Sequence, residues 1–254
     1  MRKTALAILA LAMAMPAAAK APGRAPADVA AGVAQSGRPK DRVDLDEVRK
    51  PAEVLRFMGL RKGDHVLDYF TGTGYYAEIM ASAVGPQGRV VGWNSAAFNE
   101  RAKEALDGIA KRHSNFSYYG TPATAIAFAP NSFDFALLHL VYHDAYWESV
   151  QYKVPRIDPN TVVQAIWNAV KPGGTVAVID HVATAGGDTR EVVEKLHRID
   201  PAVVRADFER AGFVLEAQSD MLRVPADDHS KNVFDPSIRG RTDRFMYRFR
   251  KPAR

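Results

Sequence analysis

Cysteine is absent from the 254 residues, which removes thiolate nucleophiles, zinc-thiolate sites, iron-sulfur clusters and disulfides together. It also removes the residue a bacterial lipid anchor would modify. Glycine and proline are sparse, at 18 and 15, so collagen-like and low-complexity chains are excluded. With 47% hydrophobic residues, a wholly disordered chain is excluded as well. Charge of one sign is scarce: two units of the formal +5 sit on Arg2 and Lys3, and the remainder is too little to point to nucleic acid. Long apolar runs are missing after the N-terminus. The one at the start, Ala5 to Met15, falls short of the roughly 20 residues that cross a bilayer.

That run has basic Arg2 and Lys3 before it and Pro16-Ala17-Ala18-Ala19 after it. The three-part layout predicts a signal peptide over 1–19, cut after Ala19, and so a periplasmic or secreted mature chain with no stable membrane insertion. From Lys20 to about Val43 the sequence is Ala, Pro, Gly and Lys/Arg without sustained periodicity, which predicts a mobile leader. Residues 44–254 read as a single domain.

Within it, strands and helices alternate. Apolar spacing predicts a helix over Asp46–Gly59, a strand over His65–Phe70, a helix over Tyr75–Val84, a strand over Arg89–Trp93 and a helix over Ala97–Arg112. Further strands are expected at Phe116–Tyr119, Phe133–Leu140 and Thr175–Asp180, with a helix at Asn160–Val170 between the last two. A helix over Pro201–Ala211 and strands at Phe213–Gln218 and Arg244–Arg250 follow. This order predicts an α/β fold, a doubly wound and mainly parallel sheet with an antiparallel last strand. In Arg244–Arg250 the cations alternate with Phe245, Tyr247 and Phe249, the pattern of a strand with one solvated face.

The most informative segment runs from Val66-Leu67-Asp68 through Gly72-Thr73-Gly74 to Tyr75-Tyr76. An apolar strand ends in a glycine turn that enters a helix directly, so unpaired N–H groups face the carboxyl edge of the sheet. Asp68 at the strand end suits a ligand with a cationic group and suits a pyrophosphate poorly. With these residues the chain resembles the class I S-adenosylmethionine-dependent methyltransferases. Asn131-Ser132-Phe133-Asp134-Phe135, the Lys171-Pro172-Gly173-Gly174 turn and Ala211-Gly212-Phe213 extend the likeness over most of the mature chain. More narrowly, Gly74-Tyr75-Tyr76, Tyr142-His143-Asp144, Asp180-His181, Leu196-His197-Arg198-Ile199-Asp200 and Phe234-Asp235-Pro236-x-Ile238-Arg239-Gly240 are similar to a bacterial group of such proteins with export signals. The resemblance implies a seven-stranded Rossmann-like sheet and S-adenosylmethionine as cofactor. It implies that Asp68, Gly72 and Gly74 surround the methionine portion of that cofactor; Tyr75 is a candidate to pack on its adenine or face its sulfonium, with aromatic core as the alternative. At the end of the second strand, where this family usually sets an acid on the ribose, Asn94 stands instead, an amide that accepts less strongly than a carboxylate.

His143, His181 and His197 are the candidate catalytic residues, because the ends of strands one, four and five open on one edge of such a sheet. Methyl transfer to a hydroxyl or amine needs an aligned acceptor and a group to take its proton. Asp134 reads as structural. His143, Asp180, His181 and His197 also permit a metal site of imidazoles and carboxylate, but no helix-borne motif such as His-Glu-x-x-His is present, so no metal is expected. The leading reading is a methyltransferase acting on a small-molecule acceptor, with no nucleic-acid partner. The alternative is an exported, non-catalytic binding protein for a nucleoside or other small ligand on the same fold.

Overall fold

A computed structural model describes residues 23–152 and 154–253; the expected signal peptide over 1–19 lies outside them. The centre is a seven-stranded sheet in the order β3-β2-β1-β4-β5-β7-β6. Its strands are β1 (His65–Tyr69), β2 (Arg89–Ser95), β3 (Phe116–Thr121), β4 (Phe133–His139), β5 (Val170–His181), β6 (Val214–Ser219) and β7 (Arg244–Arg250). β1 to β5 pair in parallel, and β7 enters antiparallel between β5 and β6. The expected sheet and its antiparallel closing strand are found. Among the described residues no helix lies between β6 and β7.

Helices cover both faces. α1 (Val29–Ala34), α2 (Lys40–Val43), α3 (Asp46–Arg49), α4 (Pro51–Met58), α5 (Tyr75–Val84) and α6 (Ala96–Arg112) precede β3; α7 (Pro159–Ala169), α8 (Thr189–Leu196) and α9 (Pro201–Arg210) follow β4. One apolar cluster joins α4, α5 and α6 to one face of the sheet. A second joins α7 and α9 to the other. Parallel strands buried on both faces explain the near-continuous apolar runs of β1, β4 and β5.

Three expectations need correction. The segment 23–43 is not a mobile leader over its described length. α1 is capped by the Asp28 side chain on the Ala31 N–H, and Gly32 lies so close to α5 that an added Cβ would stand 2.6 Å from the Ile79 carbonyl. The buried Glu78 carboxylate needs cations, which Arg42 at 3.1 Å and Arg112 supply. A short Ala-rich helix has no propensity signal strong enough to announce this; docking on α5 decides it. The helix expected over Asp46–Gly59 is broken at Lys50, which is left-handed (φ 45°) before Pro51, because proline disfavours the helical region in the residue before it.

The supposed solvated face of β7 is largely covered. Arg244 is buried and donates to the Val48 carbonyl at 2.7 Å, and Arg248 donates to the Phe57 carbonyl at 2.6 Å. Each cation thus satisfies carbonyls near the C-terminal end of a short helix. α8 was not expected. Only Val193 of its eight residues is fully buried, so its apolar stripe is thin.

Candidate active site

Two groups of residues meet the carboxyl edge of the sheet. The first is the turn between β1 and α5. Phe70 and Gly72 are left-handed at φ 53° and 60°, and Gly74 at 89°. A Cβ on Gly72 would meet nothing within 4 Å, whereas one on Gly74 would lie 2.3 Å from Ile109 Cδ1 and 3.1 Å from Leu106 Cδ2. The two glycines therefore do different work. Gly72 leaves open space beside the turn, and Gly74 lets α6 pack against the start of α5.

Asp68 is buried at the end of β1 and accepts from the Thr71 hydroxyl at 2.6 Å. Burial pushes its carboxyl up to about 7, against the hydrogen bonds from Thr71 and the Ala77 N–H. No cation pairs with it among the described residues. A ligand ammonium or sulfonium at this carboxylate would restore its charge, so the donor set suits the cationic methionine end of S-adenosylmethionine.

The other two residues expected at the cofactor are placed differently. Asn94 is fully buried. Its amide oxygen takes the Gly72 N–H at 2.9 Å and its nitrogen donates to the Gly72 carbonyl at 3.1 Å. It holds the turn to β2. Tyr75 turns toward the N-terminal segment, donating to Asp46 at 2.6 Å with the Arg49 guanidinium 4.3 Å over its ring.

The second group lies past β4 and β5. Leu140, left-handed at φ 58°, donates its N–H to the Ile179 carbonyl. The chain thereby folds over the end of β5 into a 3-10 turn, His143–Tyr146. Asp180, fully buried, receives His143 Nδ1 at 2.8 Å and the His143 N–H at 2.9 Å, and also the His181 N–H at 2.8 Å. His143 Nε2 is left facing Asp144, 3.4 Å away. His197 ends α8 in a left-handed conformation, φ 50°, with Nδ1 3.9 Å from the same Asp144 oxygen. His143 lies 5.7 Å from His197 and 5.8 Å from His181 between ring centroids. Trp147 and Phe234 close over the His197 ring, each at 5.0 Å.

The three histidines differ in charge. Burial alone would lower His143, but the carboxylates of Asp180 and Asp144 overcome it and lift the ring to about 9. Burial pulls His181 down to about 3 and, helped by the nearby His143, His197 down to about 4. His181 Nδ1 is also committed to the Thr242 hydroxyl at 2.7 Å.

His143, His181 and His197, far apart in sequence, are thus gathered in one cluster. Sequence reasoning did not single out Trp147, which carries no motif, or Asp180 as the residue that orients His143; Phe234 opens one of the stretches behind the narrower resemblance, but nothing in the sequence set it against His197. Arg198 and Asp200, from the same sequence stretch as His197, are structural: Arg198 is fully buried against Asp227, and Asp200 caps α9. Asp134 is structural as expected, bonded to Arg24, Lys171 and the His65 N–H.

The two groups are neighbours because β1 pairs with β4, Tyr69 opposite Leu138, and β4 with β5, His139 opposite Ile179. The Tyr69 phenol is pushed up first by burial and then by the Asp144 charge.

A parallel sheet with a glycine turn after its first strand, an acid beside the turn and an antiparallel seventh strand define the class I S-adenosylmethionine-dependent methyltransferases, and comparison with known proteins agrees. Residues 60–227 match the methyltransferase domain family, and the chain belongs to it. The demethylmenaquinone methyltransferase of Listeria welshimeri is 30% identical over 134 residues, 50% of this chain and 49% of that protein. The chain spans about half the length of the curated relatives it matches. A SAM-dependent methyltransferase from Aquifex aeolicus superposes with a TM-score of 0.57 at 19% identity, over 82% of this chain and 98% of that one. The cyclase SpnF gives 0.57 at 15% identity, over 91% and 98%. Both structures speak to the fold alone.

Proposed function

We propose that the chain methylates an oxygen nucleophile on a small, flat, largely apolar molecule bound between the β1 turn and the histidine cluster. The observation that carries this reading is the juxtaposition of Asp68 and the open side of Gly72 with the Asp144, His143 and His197 face two strands away. When bound, S-adenosylmethionine supplies an electrophilic methyl group and leaves as S-adenosylhomocysteine. Asp68 and the turn hold its cationic end. Trp147 and Phe234 give an apolar wall for a ring, and the Asp144 face receives the proton that the acceptor hydroxyl gives up as its oxygen bonds to the methyl carbon. The demethylmenaquinone methyltransferase relatives favour a quinone-like ring as the acceptor's skeleton; oxygen as the methylated atom rests on the Asp144 face alone. The N-terminal pattern supports export, which intact-mass analysis of protein from the native host checks: a mature chain beginning at Lys20 is expected.

The experiment is a screen of hydroquinones and phenols with S-adenosylmethionine, read by mass spectrometry for a gain of one methyl group, beside calorimetric titration with S-adenosylhomocysteine. One observation favours the second reading, a binding protein without turnover: Asn94 is committed to Gly72, so the end of β2 offers no acid to a ribose. Binding of S-adenosylhomocysteine with no methylated product across the screen would favour it.

A further inference from the structure

We propose that His143 Nε2, an Asp144 carboxylate oxygen and His197 Nδ1 form a binding site for one divalent first-row transition-metal ion. The sequence predicts no metal, because no helix-borne ligand motif is present, and the set it permits holds Asp180 and His181 where the structure sets Asp144. The fold brings their donor atoms within 4.8 Å of one another, with Asp144 Oδ1 3.4 Å from His143 Nε2 and 3.9 Å from His197 Nδ1. Ligand atoms about 2.1 Å from a common ion stand roughly 3.4 Å apart, so small rotations of the His197 ring and the Asp144 carboxylate close the set.

Two further observations point to the same ion. The first is Asp180. Both of its oxygens are engaged, and its bond to His143 Nδ1 at 2.8 Å fixes the tautomer whose lone pair is on Nε2 once the ring gives up its proton. Carboxylates behind metal-bound histidines do this. The second is His197 itself. Among the described residues neither its ring nor the Asp144 carboxylate takes part in a hydrogen bond, which leaves both donor groups to turn toward an ion. Two imidazoles and one carboxylate suit Zn²⁺, Co²⁺, Mn²⁺ or Fe²⁺ better than Mg²⁺ or Ca²⁺, which prefer oxygen. Three protein ligands leave positions for an oxygen of a bound molecule.

The role for this ion rests on the methyltransferase reading: it would hold the acceptor's hydroxyl oxygen beside the cofactor crevice. The site itself does not rest on it. The test is titration of the tag-free mature chain, stripped with chelator, with Zn²⁺ by calorimetry and with Co²⁺ by visible absorption. One ion per chain is expected, with Co²⁺ bands of a low-symmetry, nitrogen-and-oxygen site. Asp144→Asn and His197→Asn should each weaken binding at least tenfold. Both should fold, since the first is isosteric at a partly exposed side chain and asparagine tolerates the left-handed region; melting curves verify this. Absence of stoichiometric binding, or binding undiminished in both variants, overturns the site. S-adenosylhomocysteine titrated into the same samples separates the readings: nucleoside binding without the ion sinks the metal site alone, and ion binding without the nucleoside sinks the methyltransferase reading alone.

Discussion

The β1 turn and the histidine cluster share one edge of the sheet, yet they are built in opposite ways. The turn is local. Within seven residues, Asp68 to Gly74, its shape comes from left-handed backbone at Phe70, Gly72 and Gly74 and from one side chain, Asn94, reaching across from β2. The cluster is assembled from the segment after β4, the end of β5 and the end of α8, and its geometry depends on the buried Asp180 carboxylate. Damage to the turn should therefore act through the backbone and stability, and damage to the cluster through orientation and chemistry.

The sharpest break of that comparison is at the two glycines. Gly74→Val should destabilise the protein by about 3 kcal/mol or more, through overpacking against Ile109 and strain at φ 89°. Gly72→Ala should cost only about 1 kcal/mol, because its Cβ meets nothing, while weakening S-adenosylhomocysteine at least tenfold. Thermal melts and calorimetry on both variants decide it. Equal loss of stability in the two would remove the distinction.

On the cluster side, Asp180→Asn leaves shape and removes the charge that orients His143. Turnover on an acceptor found by the screen should fall about 10- to 100-fold, with nucleoside affinity within about twofold of the parent. A matching fall in affinity would show that the two regions are not separable.

The turn also carries a pH dependence that the cluster does not share. Asp68 titrates near 7 because it is buried without a cation, and a cationic ligand needs it ionised. Affinity for S-adenosylhomocysteine should accordingly be about tenfold weaker at pH 6 than at pH 8, the ratio of ionised fractions for a group at about 7. Asp68→Asn should flatten that profile. A parent profile already flat between these pH values would place the amino-acid end of the ligand elsewhere.

The smallest effect lies at the opposite edge of the sheet. Asp134 is held down to about 2: burial opposes this, but Arg24, the His65 N–H and Lys171 prevail. Its unfolded value is near 4, so the stability it contributes is complete above about pH 4 and lost as pH falls toward 2. Asp134→Asn should lower stability at pH 7 by about 1 kcal/mol and shallow the acid limb of urea-unfolding midpoints, while leaving ligand binding untouched.

What could be read from residues alone follows the same division. The bounds of α5 and β7 fall where the spacing of apolar residues puts them, and the helical stretch from Asp46 ends at Gly59, in a left-handed cap. Periodicity missed α8, whose buried stripe is one residue wide, and the packing of 23–43, which depends on Glu78, 36 residues beyond Arg42. Among the candidate site residues, the places of Asp68 and Gly72 at the turn were legible from the strand-turn-helix pattern. Asn94 and Tyr75 were legible as positions and not as contacts. Where their polar atoms go is settled by neighbours, the Gly72 peptide for one and Asp46 for the other.

By itself, then, the sequence determined the succession of strands and helices, the turn after β1 and the class of fold, because these depend on backbone preferences and apolar spacing that act over a few residues. Only the tertiary structure decided that His143, Asp144 and His197 face one another and that Asp180 stands behind them. Strand register and the path of three separate loops set those distances, and they come from the packing of the whole sheet, to which no short stretch of sequence has access.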